Sequence, residues 1–539
     1  MMKQLTYLIL CSVLLSSSLL ANEADEIAEL KAKLKNLEAE NASLRQQLEA
    51  ADDEIEQKTK VVTKQEERIE EYEEINRLAR IEQRNSSKSA TGRDQGPGGS
   101  IQLGPFSFGG AIRAQYTDGD YGFPGTDGDV EGPSRDEGTA TLDTLYFSGA
   151  FEWENLIGAG EYRFYDSVGS FGGYHFLHTL WFGHEFNNGA TIKVGVTEVP
   201  FGIERFGSGY GFFNQLDNYV GLADDRDLGI TYSFSIQDFD IDLGYFLQSE
   251  PRGSGESLNS ARGSYDVVEP EGDAGALFFQ PGGVAIGEGN NFLGGNFSPW
   301  EEGQQLNARV KYNFYAGPTE NMVGFSAQWG ELESTDPLDR FDDGEMWAAS
   351  VFAKSTYKNW QVKAAITQYK YDIDTLRDQS TFPGTPFFTT FNAYNPDQIV
   401  IGGFDTPFYV ASEGIIPSIG VSYTHFPRKI DFIDFIVPYI DYSIIIKDGE
   451  TNGNYFTEPA VPIGTEFQDS EQLSIGAIIG SGNWLVYIDF LFGKGAPLVG
   501  NSNAQYFTGA SLNDDTGTLP NEFDDSWQHR FNINFGYYY

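Results

Sequence analysis

Cysteine is all but missing from this chain: among 539 residues there is one, Cys11. It lies in the apolar run from Leu5 to Leu15, which follows Lys3 and leads through Ser16 to Ser18 to a cleavage point after Ala21. Those are the three parts of a secretory signal, and the run is too short to span a bilayer as a helix. Small residues of a lipoprotein signal do not precede Cys11, and the mature chain is then left without disulfides or a thiol nucleophile. Basic residues number 35 against 79 acidic ones, for a net charge of -44. Nothing would neutralise phosphates, so nucleic acid is excluded as a partner. Histidine is as scarce: His175, His178, His184, His425 and His529. His175 and His178 face opposite sides of a strand, and His178 and His184, six residues apart, are separated by about 20 Å, too far for one metal site. No Ser-His-Asp arrangement can be built, so no catalytic residue, metal or cofactor is assigned. Asp118-Gly119-Asp120 and Asp127-Gly128-Asp129 lack a full calcium ligand loop and read as solvated acidic turns. After the signal, no segment approaches 18 continuous apolar residues. A membrane-embedded chain must therefore cross as strands.

What the sequence does contain changes character along its length. From Glu23 to Arg84 there is neither Gly nor Pro. With Ile27 as heptad position a, the a series is Ile27, Leu34, Asn41, Leu48, Ile55, Val62, Ile69 and Asn76, and the d series is Leu30, Leu37, Leu44, Ala51, Lys58, Gln65, Tyr72 and Ala79. A register held this long predicts an α-helical coiled coil over 22–84, an oligomerising element of unspecified strand number. Residues 85–100 are polar and Gly-rich and read as a flexible linker. Aromatics make up 15% of the chain, with 62 Gly, which favours strands and turns over a helical core.

The last stretch shows the pattern that repeats through the remainder. Trp527, His529, Phe531, Ile533, Phe535, Tyr537 and Tyr539 alternate with Gln528, Arg530, Asn532, Asn534, Gly536 and Tyr538. This predicts a strand with one apolar and one mostly polar face. Sixteen such segments can be marked: 106–116, 141–153, 158–167, 174–186, 190–198, 228–235, 239–248, 305–315, 321–332, 345–357, 360–371, 413–426, 435–447, 471–480, 484–493 and 526–539. Their connections alternate long and short, with turn residues such as Asn187-Asn188-Gly189 in the short ones. A soluble sandwich has no reason to gather its long loops at one end, whereas a bacterial outer-membrane barrel does. The expectation is an all-β transmembrane fold over 101–539: a 16-stranded antiparallel outer-membrane β-barrel, following signal 1–21, periplasmic coil 22–84 and linker 85–100. Trp153, Trp347, Trp360, Trp484 and Trp527 fall near segment ends, where girdle aromatics meet the lipid interface. Tyr539 resembles the end signal read by barrel-assembly machinery.

Alternation also assigns charges to the lumen, since charges facing lipid are costly. Arg113, Arg163, Lys193, Arg309, Lys311, Lys354, Lys363, Lys447 and Arg530 fall there, with Glu152, Glu161, Asp240, Asp242, Asp441 and Asp489 facing them. The 199–227 connection is aromatic and Gly-rich. In water it would expose a large apolar patch, so it is expected to fold inward and constrict the channel. Its charged members, Glu204, Arg205, Asp217, Asp224, Asp225 and Arg226, are the constriction candidates.

Lys193-Val194-Gly195, Pro200-Phe201-Gly202-Ile203-Glu204 and Asp225-Arg226-Asp227-Leu228-Gly229 together resemble the phosphate-selective porins O and P, a family of trimeric 16-stranded outer-membrane channels. The resemblance implies a homotrimeric passive channel for small polar or charged solutes, anions such as phosphate among them. Some members carry an N-terminal periplasmic coiled coil, as 23–84 would supply. Phosphate-selecting members bear an arginine ladder that includes an arginine pair opening the second strand. Arg113 fits the ladder, but Leu142-Asp143-Thr144 stands in the place of the pair, so the channel carries over and the solute does not. The competing reading is a structural protein whose coil spaces the outer membrane from the periplasm or cell wall.

Overall fold

A chain segment inside hydrocarbon must satisfy every backbone N–H and C=O within the protein, and alternating strands can do so only by closing on themselves. The computed structural model describes residues 101–119, 138–167, 170–204, 207–211, 216–255, 263–267, 300–335, 341–373, 396–403, 406–427, 430, 432–451, 465–495 and 527–539. The expected signal, coil and linker lie outside these residues. The first half of the ring is β1 Phe106–Gly119, β2 Thr139–Trp153, β3 Leu156–Ser167, β4 Ser170–Glu185, β5 Thr191–Glu198, β6 Arg226–Ile236, β7 Phe239–Ser249 and β8 Trp300–Ala316. The second half is β9 Thr319–Ser334, β10 Gly344–Tyr357, β11 Trp360–Asp372, β12 Glu413–Tyr423, β13 Phe435–Asp448, β14 Ser470–Ser481, β15 Trp484–Lys494 and β16 Gln528–Tyr538. Each pairs antiparallel with the next, and β16 returns to β1 in a ladder from Ala111↔Tyr538 to Gly119↔Arg530. Beyond it, Tyr539 and Gly110 exchange two main-chain hydrogen bonds of 2.9 and 2.8 Å. The closed ring has the sixteen strands that the alternation predicts.

At one end the turns are tight. Glu154, Gln237 and Lys358 take φ of 53°, 55° and 54°, and Gly317 and Gly482 take 61° and 54°, the left-handed geometry that matches a two-residue hairpin to the strand twist. The other end carries the long connections, with one difference from the alternation reading. Where a loop is expected over 168–173, β3 and β4 run on to pair Ser167 with Ser170.

Burial sorts the two faces. Every strand exposes at least one large apolar side chain: Ile112, Phe147, Leu156, Phe182, Val194, Ile230, Leu243, Leu306, Phe325, Val351, Ile366, Ile419, Ile440, Ile475, Phe490 and Phe535. A continuous apolar belt has no place on a soluble monomer and fits a lipid-facing wall. Trp153, Trp360, Trp484 and Trp527 are exposed at strand ends, and Trp347 pairs with exposed Trp329. On the opposite face, Thr144, Ser326, Thr367, Ser443, Asp489 and Asn532 are buried and polar. Bulges shift the register at several points, and the one in β4, between Glu161↔Thr179 and Tyr162↔Leu177, reverses the phase and leaves His178 as the extra residue. His178 is buried inside, while His175 bonds Tyr162 on the other face, as alternation predicts.

The connection after β11 corrects a second expectation. Read as loop, it contains a hairpin, Gln398–Gly403 with Thr406–Ala411, and the first of these strands also pairs with Asp266–Val267. Gln398 to Gly403 is buried at every position. Ile399, Val400 and Ile401 join Val199, Leu216, Tyr219, Val220, Trp300, Phe341 and Tyr371 in one apolar cluster. The barrel thus holds a hydrophobic core of its own toward the long-loop end.

Because the seam depends on the final residues, deleting Tyr537 to Tyr539 removes its last pairs and the Gly110 bonds. The expected outcome is a strong loss of folded, heat-modifiable barrel in the outer membrane; normal assembly of the truncation would show that the seam closes without them.

Candidate functional site

The inward loop is the site. It leaves β5 at Val199 and returns at Asp225, and the Val199 amide donates to the Asp225 carbonyl at 3.1 Å, so the two ends meet. Between them the described residues bond along the inner wall in strand order. Arg309 of β8 approaches the Phe201 carbonyl at 3.5 Å, and the Gly202 amide donates to Ser326 Oγ of β9 at 2.9 Å. Ser208 Oγ donates to Ser418 Oγ of β12 at 2.7 Å. The Tyr210 and Gly211 amides donate to Asp441 Oδ2 of β13 at 2.7 and 2.8 Å, and the Leu216 amide donates to Ser443 Oγ at 3.0 Å. After a single 3-10 turn, Asn218–Val220, the Tyr371 hydroxyl of β11 donates to the Val220 carbonyl at 2.5 Å. One wall position must be glycine for this docking: a Cβ on Gly420 would meet the Ser208 carbonyl at 2.5 Å. These hydrogen bonds hold the described residues of the 199–227 connection against the polar face of the strands.

Charge at the constriction centres on Glu204. Its carboxylate takes Lys354 Nζ at 2.9 Å and Lys363 Nζ at 2.7 Å, one from β10 and one from β11. Burial alone would raise this carboxyl, but the two lysines outweigh it and hold it well below the usual carboxylate range. Lys363 also lies 4.2 Å from the Tyr210 ring centre, and the Tyr210 hydroxyl donates to Gln361. Other basic candidates are matched in the same way. Arg163 pairs with Glu161 at 2.6 Å and Arg309 with Asp242 at 2.9 Å. Arg113 lies 3.4 Å from Asp143 and donates to Thr144 and Tyr165. The residue standing where an arginine pair would open the second strand thus offsets the arginine of the first. Lys193 lies over the Trp181 ring at 4.6 Å. Lys311 is half-buried on the inner face, Lys447 shares its face with Asp441, and Arg530 is buried on β16. Of the acidic partners, Asp489 accepts from Tyr439 at 2.7 Å, Asp240 from Ser235 and Asn313, and Glu152 is exposed.

The remaining constriction candidates divide. Arg205 lies outside the described residues. Asp217 is buried beside Gly207, and burial pushes its carboxyl up to about 6 against the opposing hydrogen bonds of its own and the Asn218 main chain. Asp224, Asp225 and Arg226 sit at the loop's return rather than at its tip, all buried, with Arg226 paired to Asp224 at 2.8 Å. Burial, then the nearby Glu302 and Glu250, drives the Asp225 carboxyl well above its ordinary value. Glu302, Glu250, Asp266, Tyr210 and Gln361 were not marked by alternation: Gln361 alone lies in a predicted strand, and the other four fall in predicted connections, where a period of two carries no signal.

No family model and no curated protein matches the sequence. Among solved structures, the outer-membrane channel DcaP of Acinetobacter baumannii aligns with 82% of this chain and 100% of its own at 13% identity and a TM-score of 0.44. OmpF of Salmonella typhi in complex with daunomycin aligns with 82% and 100% at 13% and 0.43. An anion-selective porin from Comamonas acidovorans aligns with 80% and 99% at 11% and 0.41. Likeness at this level sets no solute, and the barrel rests on its own strand pairing.

Two outcomes follow from the loop. Glu204→Gln leaves Lys354 and Lys363 without a countercharge, so reversal potential under a salt gradient should move toward the anion limit; an unchanged value would place Glu204 outside the ion path. For Asp217, a folded pKa near 6 lies above the ordinary 3.8, so its protonated form favours the docked loop. That stabilisation is complete below the ordinary value and is lost as pH rises through about 6. Protection factors for residues 216–222, the intrinsic exchange rate at each pH divided by the observed rate, should rise between pH 7 and pH 5 in the native protein, and Asp217→Asn should flatten that rise.

Proposed function

We propose that this chain is a passive outer-membrane diffusion channel for small polar or charged solutes. The observation that carries the reading is the pairing of opposites across one wall: an apolar belt outside on every strand, and polar side chains with an inward loop inside. Sixteen strands enclose more space than their own side chains fill, and the loop narrows what is left. Arg113, Arg163, Arg309, Lys354 and Lys363 each have a carboxylate partner, which argues against a dedicated ladder for phosphate. Anions such as phosphate are then admitted by size rather than selected by an arginine track. A homotrimer, with the coil of 22–84 in the periplasm, suits an oligomerising element joined to a barrel whose walls gain from being shielded.

Conductance in a planar bilayer tests this, using the purified protein and a variant lacking 23–99. Both should conduct, with little change in reversal potential when phosphate replaces chloride. A full-length protein that never conducts would end the channel reading and favour the coil as a membrane spacer; a strong phosphate preference would restore the basic wall as the selector.

A further inference from the structure

Four carboxylates converge where the inward loop rejoins the wall. Asp225 ends the loop, Asp227 lies in β6, Asp266 lies in the short strand after β7, and Glu302 lies near the start of β8. Each offers an oxygen such that all four atoms lie within 4.8 Å of one another. All four residues are buried, at 4%, 1%, 0% and 7% exposure. An exposed acidic patch needs no explanation, but carboxylates so close in a buried place repel one another and lack water to screen them.

The cluster is built and held. The Val267 amide donates to Glu302 Oε1 at 3.0 Å, and Gln305 Nε2 approaches Asp227 Oδ2 at 3.4 Å. Behind them Glu250 Oε1 takes the Gly263 amide, the Ser264 amide and Ser264 Oγ at 2.6, 2.7 and 2.9 Å, fixing the segment that carries Asp266. The arginine within the cluster's own sequence, Arg226, turns to Asp224 instead. An independent observation points to a ligand: among the described residues Asp225 Oδ1 accepts no hydrogen bond, though its side chain is buried within the cluster.

We propose that Asp225, Asp227, Asp266 and Glu302 form a site for a divalent cation of calcium size that pins the constriction loop to the barrel wall. The donor set is all oxygen, which suits a hard cation and not zinc or copper. Calcium takes carboxylate oxygens at about 2.3–2.6 Å, so ligands across the ion stand up to about 5 Å apart, the spread found here; magnesium demands a tighter shell. The ion joins the loop's return, two strand starts and the 263–267 segment, which in turn pairs with Gln398–Gly403. It is thus a clamp for the inner core rather than a ligand in transit, and it stands whether or not the barrel conducts.

The test is calorimetric titration of the full-length, EDTA-treated protein in detergent with calcium chloride and with magnesium chloride, together with thermal unfolding. The expected result is one calcium per chain, weaker magnesium binding, and a calcium-dependent rise in Tm. Asp225→Asn with Asp266→Asn removes charge at nearly constant shape. That variant should be more heat-stable than the native protein in EDTA and should lose the calcium response. Absence of calcium binding by the native protein overturns the proposal, as does undiminished binding by the double variant or tighter binding of magnesium. If the double variant does not fold, Glu302→Gln alone should weaken calcium binding at least tenfold, and unaltered affinity there overturns it equally.

Discussion

A backbone placed in hydrocarbon has no water to turn to, and the whole architecture follows from that constraint. Among the described residues each of the sixteen strands is laddered to a neighbour on either side, and the ring has no edge because β16 comes back to β1. The final pair, Tyr539 with Gly110, is where the requirement is met last. Side-chain chemistry is then free to divide: Phe182, Val351 and Ile366 can face lipid because the carbonyls beneath them are already satisfied.

Inside the ring, a second constraint acts. An aromatic loop that packs on a polar wall must find partners for its own amides, and here the wall provides them as Ser326, Asp441 and Ser443, while Ser418 accepts from the Ser208 hydroxyl. Its apolar side chains meet the Ile399–Ile401 strand and Trp300, so the constriction is a packed unit, not a flap of chain across an opening. Glu204 fixes it electrostatically by standing between two lysines. Lys354, Lys363 and Asp441 are thus spent on holding the loop, while Arg113, Arg163 and Arg309 are matched by carboxylates of the wall itself.

The ring was legible in the sequence because lipid on one side and polar groups on the other impose a period of two, and that period survives in Leu306 to Phe314 as in Trp527 to Tyr539. Parity assigns each charge a face only between bulges, and the bulges at Glu161 and Leu228 carry no mark in the alternation. Partnership was not legible: Glu204 lies 150 and 159 residues from the lysines it meets, and nothing local marks them. Gln398–Gly403 escaped for the opposite reason. It is buried on both faces, so Ile399, Val400 and Ile401 do not alternate and a template built on alternation passes over them. The four-carboxylate cluster draws on positions 225, 227, 266 and 302, a spacing without periodicity that becomes a site only when the loop returns to the wall.

The seam carries a consequence in time. Gly110 lies in the first strand of the ring and Tyr539 directly follows the sixteenth, so the ring has no closed form until both strands have been made. At roughly 5–20 residues per second, synthesis of the stretch between them takes on the order of 20 to 90 seconds. Throughout, the strands are exposed edges waiting for a neighbour, the most aggregation-prone state a β protein passes through. A net charge of -44 works against self-association in that interval, because like charges on separate chains repel.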